Sequence, residues 1–206
     1  MHSDQSNAAQ VSVLVDRAKQ GDREAFDGLV GLYTPQIYNL ALRITGSSED
    51  AEDCVQDAFV RAFSRLHTFR GEAAFSTWLF RVAINVANDS AKRRTRRPLP
   101  ASQLAAADSD GEGPDLETIA GPNAEQAPTP DEAAILRQRR EIVLAAVQSL
   151  PDHHRAVVLL YDFQGLSYDE IAHITGTRVG TVKSRLNRAR LALKELLTPH
   201  LELLRD

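Results

Sequence analysis

Apolar residues recur with helical spacing in every long segment of this chain, and no segment alternates as a strand does. In 22–45 and 51–66 they repeat every three or four positions, which places them on one side of a helix turning about 100° per residue. A third stripe of this kind covers 179–193. The pattern predicts an all-α fold.

Local signals refine these helices. Pro35 removes a backbone N–H from the first stripe and is expected to split that helix into two pieces. Ser167 and Glu170 have the spacing of a capping box, which predicts a helix that starts at Tyr168, and Gly176 is expected to end it. This short helix, its glycine turn and the stripe after Val179 form a predicted helix-turn-helix.

The outer face of the second helix in this unit is polar and basic. Its members are Arg178, Thr181, Lys183, Ser184, Arg185, Asn187 and Arg188. Arg188 suits a bidentate contact with guanine, Ser184 and Asn187 suit base edges, and the other cations suit phosphates. The pattern therefore favours duplex DNA reading, although an amphipathic helix with a merely solvated basic face shows the same periodicity.

The net charge of −4 results from basic and acidic segments that partly cancel along the 206 residues. Basic blocks lie at 76–97 and 176–197, whereas 98–132 contains no Lys or Arg, several acids, and many Pro, Gly, Ala and Ser residues. Such a composition predicts a flexible acidic linker, which either acts only as a spacer or has a function of its own. We therefore expect two small helical domains, 1–97 and 133–206, joined by the linker 98–132.

Other classes of protein are not favoured. No apolar run approaches the roughly 20 residues of a membrane span, and the N-terminus has no signal-peptide pattern, so a cytoplasmic location is expected. The single cysteine, Cys54, is expected to be a small buried residue, and no Cys/His spacing suggests a metal site. No P-loop or catalytic triad is present, so neither an enzyme nor a cofactor is expected.

The helix at 51–66 carries an acidic outer face. Its polar residues are Asp50, Asp53, Gln56 and Asp57. Solvation is the usual fate of such a face, but it could also dock a basic partner, and the chemistry alone leaves both possibilities open.

The segment 69–97 has a glycine-containing loop, then a long helix that ends in a run of cations. One face of that helix carries Trp78, and Phe80 and Ile84 make a second face apolar as well. Aromatic rings beside cations suit single-stranded nucleic acid, because bases stack on rings while cations hold the backbone. A core role is favoured for Trp78, and a stacking role is more credible for Phe69.

Taken together, these motifs resemble one bacterial family. FRGEAAFSTWL, a basic helix end, a linker, then LSYDEIA and VGTVKSRL occur in the order seen in RNA polymerase sigma factors of the extracytoplasmic-function (ECF) class. The resemblance covers nearly the whole chain. It implies that 1–97 is a sigma region 2 domain and that 133–206 is a sigma region 4 domain.

The resemblance also implies roles for the residues singled out above. Asp50, Asp53, Gln56 and Asp57 would bind the clamp of the largest subunit of core RNA polymerase. The melted −10 element would contact Phe69, Arg70, Asn85, Asn88, Lys92, Arg93 and Arg94, with a flipped-out base between Phe69 and Asn85. The duplex −35 element would contact Arg178, Thr181, Lys183, Ser184, Arg185, Asn187 and Arg188. Further implied partners are promoter DNA, the polymerase subunit that contacts region 4, and an anti-sigma factor.

Two other classes were weighed against this one. A stand-alone transcription regulator would need a ligand pocket or a symmetric interface in its N-terminal half. A nucleic-acid enzyme such as a recombinase would need a nucleophile or paired carboxylates beside the basic helices. The sequence favours neither class.

Overall fold

The computed structural model describes residues 2–96 and 129–204, which form helices and turns without a strand. The all-α prediction is confirmed. The helices are α1 (His2–Lys19), α2 (Arg23–Thr45), α3 (Ser48–Arg65), α4 (Phe75–Arg96), α5 (Pro130–Ser149), α6 (Asp152–Val158), α7 (Tyr168–Thr175), α8 (Val179–Leu197) and α9 (Leu201–Leu204). A 3₁₀ turn at Leu66–Thr68 follows α3, a π-helical turn at Leu159–Phe163 extends α6, and a 3₁₀ turn at Thr198–His200 precedes α9.

The N-terminal domain is built around α2, which packs against α1, α3 and α4. The carboxylate of Asp22 accepts the N–H of Ala25 at 3.1 Å and so caps the start of α2. This bond and an ion pair with Arg17 hold the pKa of Asp22 below its usual range. Cys54 is buried in the core, as expected.

The prediction that Pro35 splits its helix is wrong, because α2 is continuous from Arg23 to Thr45. The proline removes one hydrogen bond, whereas buried side chains fix both halves of the helix, with Leu29 before it and Ile37 and Leu40 after it. The Thr34 hydroxyl also donates to the Val30 carbonyl at 2.7 Å, in the turn where the backbone pattern is interrupted.

The C-terminal domain contains the predicted helix-turn-helix. Ser167 and Glu170 form both bonds of a capping box at the start of α7, and Gly176 ends the helix with φ +63°. In α8 the buried residues are Val182, Leu186 and Ala189, as the periodicity predicted.

The end of the expected linker is helical in part. Thr129 and Glu132 form a capping box, so α5 begins at Pro130, within the segment 98–132. The stretch 98–128 lies outside the described residues.

The two domains pack against each other and share one hydrophobic core. Helix α4 lies against α7, and α2 lies against α5. The Thr77 hydroxyl is 3.5 Å from the Glu170 carboxylate, and the Arg43 guanidinium lies 4.5 Å from the centre of the Phe163 ring.

Arg155 is the buried polar link between the domains. Its guanidinium donates to the carbonyls of Val147, Gln148 and Leu150 at the end of α5, at 3.3, 2.5 and 2.8 Å. A fourth bond of 3.3 Å reaches the Ile44 carbonyl in α2. One side chain thus satisfies helix-end carbonyls in both domains.

A glycine lies at the same junction. Gly46 ends α2 with φ +74°, and a Cβ built there would overlap the side-chain amide of Gln148. The Nε2 atom of Gln148 is buried and has no hydrogen-bond partner among the described residues.

Candidate nucleic-acid interface

Helix α8 presents the predicted duplex-reading surface to solvent. Its N-terminal residue Val179 follows Arg178, whose backbone is extended. Five members of the surface are exposed and Thr181 and Arg185 are half-buried; the exposed ones are Arg178, Lys183, Ser184, Asn187 and Arg188. The structure thus places these residues at the start of α8 and around its solvent-facing side, with Lys183 and Arg185 on the two flanks.

Aromatic and polar contacts orient part of this surface. The Lys183 ammonium lies 5.5 Å from the centre of the Tyr168 ring, which stacks on Tyr161 at 4.9 Å. Ser184 donates its hydroxyl to the Thr181 carbonyl at 3.0 Å. Arg190, an exposed cation of the same basic block, is paired with Asp162.

His154 of α6 lies close enough to α8 to sense its charge. Burial lowers the pKa of His154, and the neighbouring His153 and the cations Arg188 and Arg185 lower it further. The neutral imidazole is therefore favoured beside this basic face.

The loop 69–74 and the start of α4 form an aromatic cluster. The Phe69 ring lies 5.7 Å from that of Phe75 and 5.6 Å from that of Trp78, and both Phe69 and Trp78 are half-buried. Asn85 is exposed and lies two turns beyond Trp78, hence on the same face of α4.

A cleft of about 440 Å³ opens between this loop and α1. Its walls include Ser12, Asp16 and Lys19 on one side and Phe69 and Arg70 on the other. Lys19 was not singled out from the sequence, since no local pattern links it to a loop 50 residues away. The cleft offers both an aromatic surface and polar groups.

The remaining predicted −10 residues differ in their surroundings. Asn88 is half-buried, and Lys92 is 3.5 Å from Asp152 of the C-terminal domain. Arg93 is exposed, and the exposed Arg70 lies 4.0 Å from Glu72. The predicted −10 face of α4 is therefore partly engaged by the other domain.

The acidic face of α3 is largely open. Asp53, Gln56 and Asp57 are exposed, with Asp57 4.0 Å from Arg61. Asp50 is half-buried and pairs at 3.2 Å with Arg94, so a predicted polymerase contact and a predicted DNA contact bind each other here. Val60 was not predicted as part of this face, because it lies off the buried stripe; it is 68% exposed beside the acids.

Comparison with known proteins decides the family. The model of Sigma-70 region 2 matches residues 29–97, and that of Sigma-70 region 4 matches residues 140–193. The chain is 40% identical over 187 residues to RNA polymerase sigma-H factor of Pseudomonas aeruginosa, covering 90% of this chain and 93% of that one. It belongs to the ECF sigma factors of RNA polymerase. The identity to the ECF RNA polymerase sigma-E factor of Escherichia coli K12 is 37% over 187 residues, with 91% of this chain and 94% of that one covered.

Solved structures agree with this assignment of the sigma factor. The structure of CnrH in complex with the cytosolic domain of CnrY has a TM-score of 0.66 and 27% identity, covering 92% of this chain and 98% of that one. RpoE from Bartonella quintana, solved with the anti-sigma factor NepR, has a TM-score of 0.58 and 26% identity, covering 84% and 96%. Sigma factors of this family are not enzymes.

The described part of the sigma factor contains neither a candidate metal-binding cluster nor a candidate membrane-spanning helix. No group of three His, Cys, Asp or Glu side chains within 2–96 and 129–204 could hold a metal ion. In the same ranges, no helix has the length and apolar character needed to cross a membrane.

Proposed function

We propose that this sigma factor binds core RNA polymerase and directs it to promoters by reading two DNA elements in two physical states. Helix α8 reads the −35 element as duplex, and loop 69–74 with α4 holds the −10 element as melted strand. The observation that supports this best is the presence in one molecule of an exposed basic helix face and an aromatic cleft beside cations.

The −35 assignment follows from the dimensions of DNA. An α-helix fits the major groove, and its exposed side chains reach the base edges there. Arg188 and Asn187 contact base edges, and Arg178, Lys183 and Arg185 hold phosphates that set the register. Duplex contacts of this kind tether the polymerase near its start site.

The −10 assignment follows from the chemistry of unpaired bases. Extruding a base costs roughly a few kcal/mol, and stacking on an aromatic ring offsets part of this cost. Phe69 and Asn85 border the site of a flipped-out base, while Arg70, Asn88, Lys92, Arg93 and Arg94 contact the strand. Opening then proceeds without nucleotide hydrolysis by this chain.

Core polymerase provides the scaffold for both contacts. The acidic face of α3, through Asp53, Gln56 and Asp57, docks on the basic clamp of the largest subunit, and Asp50 joins it when Arg94 turns to DNA. Exposed Val60 adds an apolar contact within this surface. The domain 133–206 binds a second polymerase subunit.

The two domains must separate for this function. The elements are centred about 25 base pairs apart, which is roughly 85 Å at 3.4 Å per base pair. Domains joined by a 3.5 Å contact between Thr77 and Glu170 cannot span that distance. The 32 residues between 96 and 129 can reach at most roughly 115 Å, so the domains 1–97 and 133–206 can remain connected through the acidic linker 98–132.

Control by an anti-sigma factor fits the same geometry. The similar structures of CnrH and of RpoE from Bartonella quintana are complexes with CnrY and with an anti-sigma factor, respectively. We propose a cognate inhibitor that covers the polymerase-binding and DNA-reading surfaces, and a cytoplasmic site of action where polymerase and DNA are present.

Run-off transcription of a fragmented genome tests this function. Core polymerase is assayed with and without the protein, and new start sites preceded by shared −35 and −10 sequences are expected only when it is added. Active core enzyme that gains no new start sites would refute the proposal.

A further inference from the structure

Lys19 bridges α1 to the loop that starts at Phe69. It is the last residue of α1, and its ammonium donates to the Phe69 carbonyl oxygen at 2.8 Å. The same ammonium lies 5.9 Å from the centre of the Phe69 ring. One side chain thus contacts both the backbone and the ring of the residue that opens the loop.

The loop has few other anchors at this point. The Phe69 N–H bonds to the Leu66 carbonyl at 3.1 Å, and the Phe69 ring rests on Phe75 and Trp78 of α4. Gly71 then turns the chain at φ +74°. The bond from Lys19 therefore fixes the α1 side of the loop, where the 440 Å³ cleft opens.

We propose that Lys19 is a positioning residue for capture of the melted strand. It holds the Phe69 carbonyl against α1 and so sets the width of the cleft before a base arrives. A loop ordered in advance loses less entropy when the strand binds, so the bond increases affinity for unpaired DNA without touching it. This inference rests on the function proposed above.

A direct phosphate contact is the competing role for an exposed lysine, and salt dependence separates the two. The logarithm of the binding constant falls linearly with the logarithm of the salt concentration, and removing a phosphate contact makes this slope shallower by about one. Removing a positioning residue weakens binding but leaves that slope unchanged.

The free protein offers a direct readout of the loop. Trp78 is the single tryptophan of the chain, and its ring lies 5.6 Å from that of Phe69. Lys19→Met keeps the apolar stem and loses the donor, so acrylamide should quench Trp78 emission more strongly than in the unmodified protein. Lys19→Arg retains a donor and should restore the original quenching. Arg23→Met removes an equal charge from an exposed position at the start of α2 and should leave quenching unchanged.

The holoenzyme tests the functional consequence. The probe is a forked fragment of a promoter identified by run-off transcription, with its −10 element unpaired, compared with a duplex fragment that carries only the −35 element. We expect Lys19→Met to lose roughly threefold to tenfold in affinity for the fork and nothing for the duplex, with an unchanged salt slope. Lys19→Arg should recover most of the fork affinity.

Three results would overturn the inference. One is unchanged quenching and fork affinity in Lys19→Met. Another is an equal loss of fork affinity in Lys19→Met and Arg23→Met, which would show general electrostatics. The third is a salt slope reduced by about one, which would show a phosphate contact. If the unmodified holoenzyme itself does not prefer the fork, the proposed function fails instead, and the quenching experiment still reports on the loop.

Discussion

The two surfaces assigned to DNA differ in how free they are. The surface on α8 projects into solvent, with Asn187 and Arg188 exposed. The surface on α4 is partly engaged, since Lys92 pairs with Asp152 of the other domain and Arg94 pairs with Asp50. Under the proposed function, the duplex-reading surface is accessible in the compact molecule, whereas the strand-reading surface is exposed fully only after these ion pairs are released.

Of the contacts between the domains, those of Arg155 should contribute most to the free energy of unfolding. Arg155→Met removes a buried guanidinium that bonds four carbonyls, so the free energy of unfolding should fall by about 3 kcal/mol. We also expect one denaturation transition in the unmodified protein and two in the variant, measured by urea titration with Trp78 fluorescence and circular dichroism. Arg140→Met, on an exposed position of α5, is the matched control. Retention of one transition at unchanged stability would show that the domains do not depend on this link.

A pair of exposed residues tests whether the two surfaces read different states of DNA. Arg188→Ala should cost roughly 1–3 kcal/mol of selectivity for the −35 sequence, because a bidentate base contact is lost. Asn85→Ala should leave that selectivity intact and reduce opening at the −10 element. Promoter competition assays measure the first effect and permanganate reactivity measures the second. Equal, sequence-independent losses from both variants would contradict the division of roles.

Removing the ion pair between Lys92 and Asp152 should make the α4 surface more accessible to DNA, and so more like the α8 surface. Asp152→Asn removes the partner of Lys92, so the free protein should bind a single-stranded −10 oligonucleotide up to about fivefold more tightly at low salt. The gain is limited because both side chains are about half exposed, and exposed pairs contribute less than about 1 kcal/mol. Asp162→Asn is the control: it frees Arg190, which lies in the C-terminal domain and not on α4, and should give no such gain. Equal gains from both variants would mean that only net charge matters.

The affinity of the α8 surface for duplex DNA should depend weakly on pH. The pKa of His154 is lowered in the folded protein, so its contribution to stability is complete above the ordinary pKa of about 6.5 and is lost as pH falls from there through the lowered pKa. DNA phosphates would offset Arg185 and Arg188 and raise the pKa of His154 again. Affinity for a −35 duplex should therefore increase by roughly twofold as the pH falls from about 7.5 to about 6.

Fluorescence anisotropy at constant ionic strength measures this effect. His154→Gln should flatten the profile, whereas His173→Gln, on an exposed position of α7, should not. A profile that His154→Gln leaves unchanged would exclude this histidine as its origin.

Local signals explain why much of the fold was predictable. Ser167, Glu170 and Gly176 determine the ends of α7 through bonds within a few residues of each other, so the sequence contains the whole interaction. The resemblance of two motif blocks to sigma factors then identified the family, which the comparisons confirmed.

Features that depend on distant contacts were not predictable in this way. Phe80 and Ile84 gave α4 a second apolar face, and both are buried, at 3% and 6% exposed, in a core that extends into the other domain. Periodicity shows that such a face exists but not what covers it. Packing likewise kept α2 continuous through Pro35, and no local pattern connects Lys19 to Phe69.

The glycine at the end of α2 has a consequence for engineering. A side chain at position 46 would strain a left-handed backbone and would have to displace the Gln148 amide, which is the end of a flexible side chain at the junction between the domains. Such a change lies next to Thr45, whose carbonyl oxygen accepts a hydrogen bond from Arg94 at 3.5 Å. Position 46 therefore offers a way to perturb the helix end that meets the C-terminal domain, and the same change also affects the surroundings of Arg94.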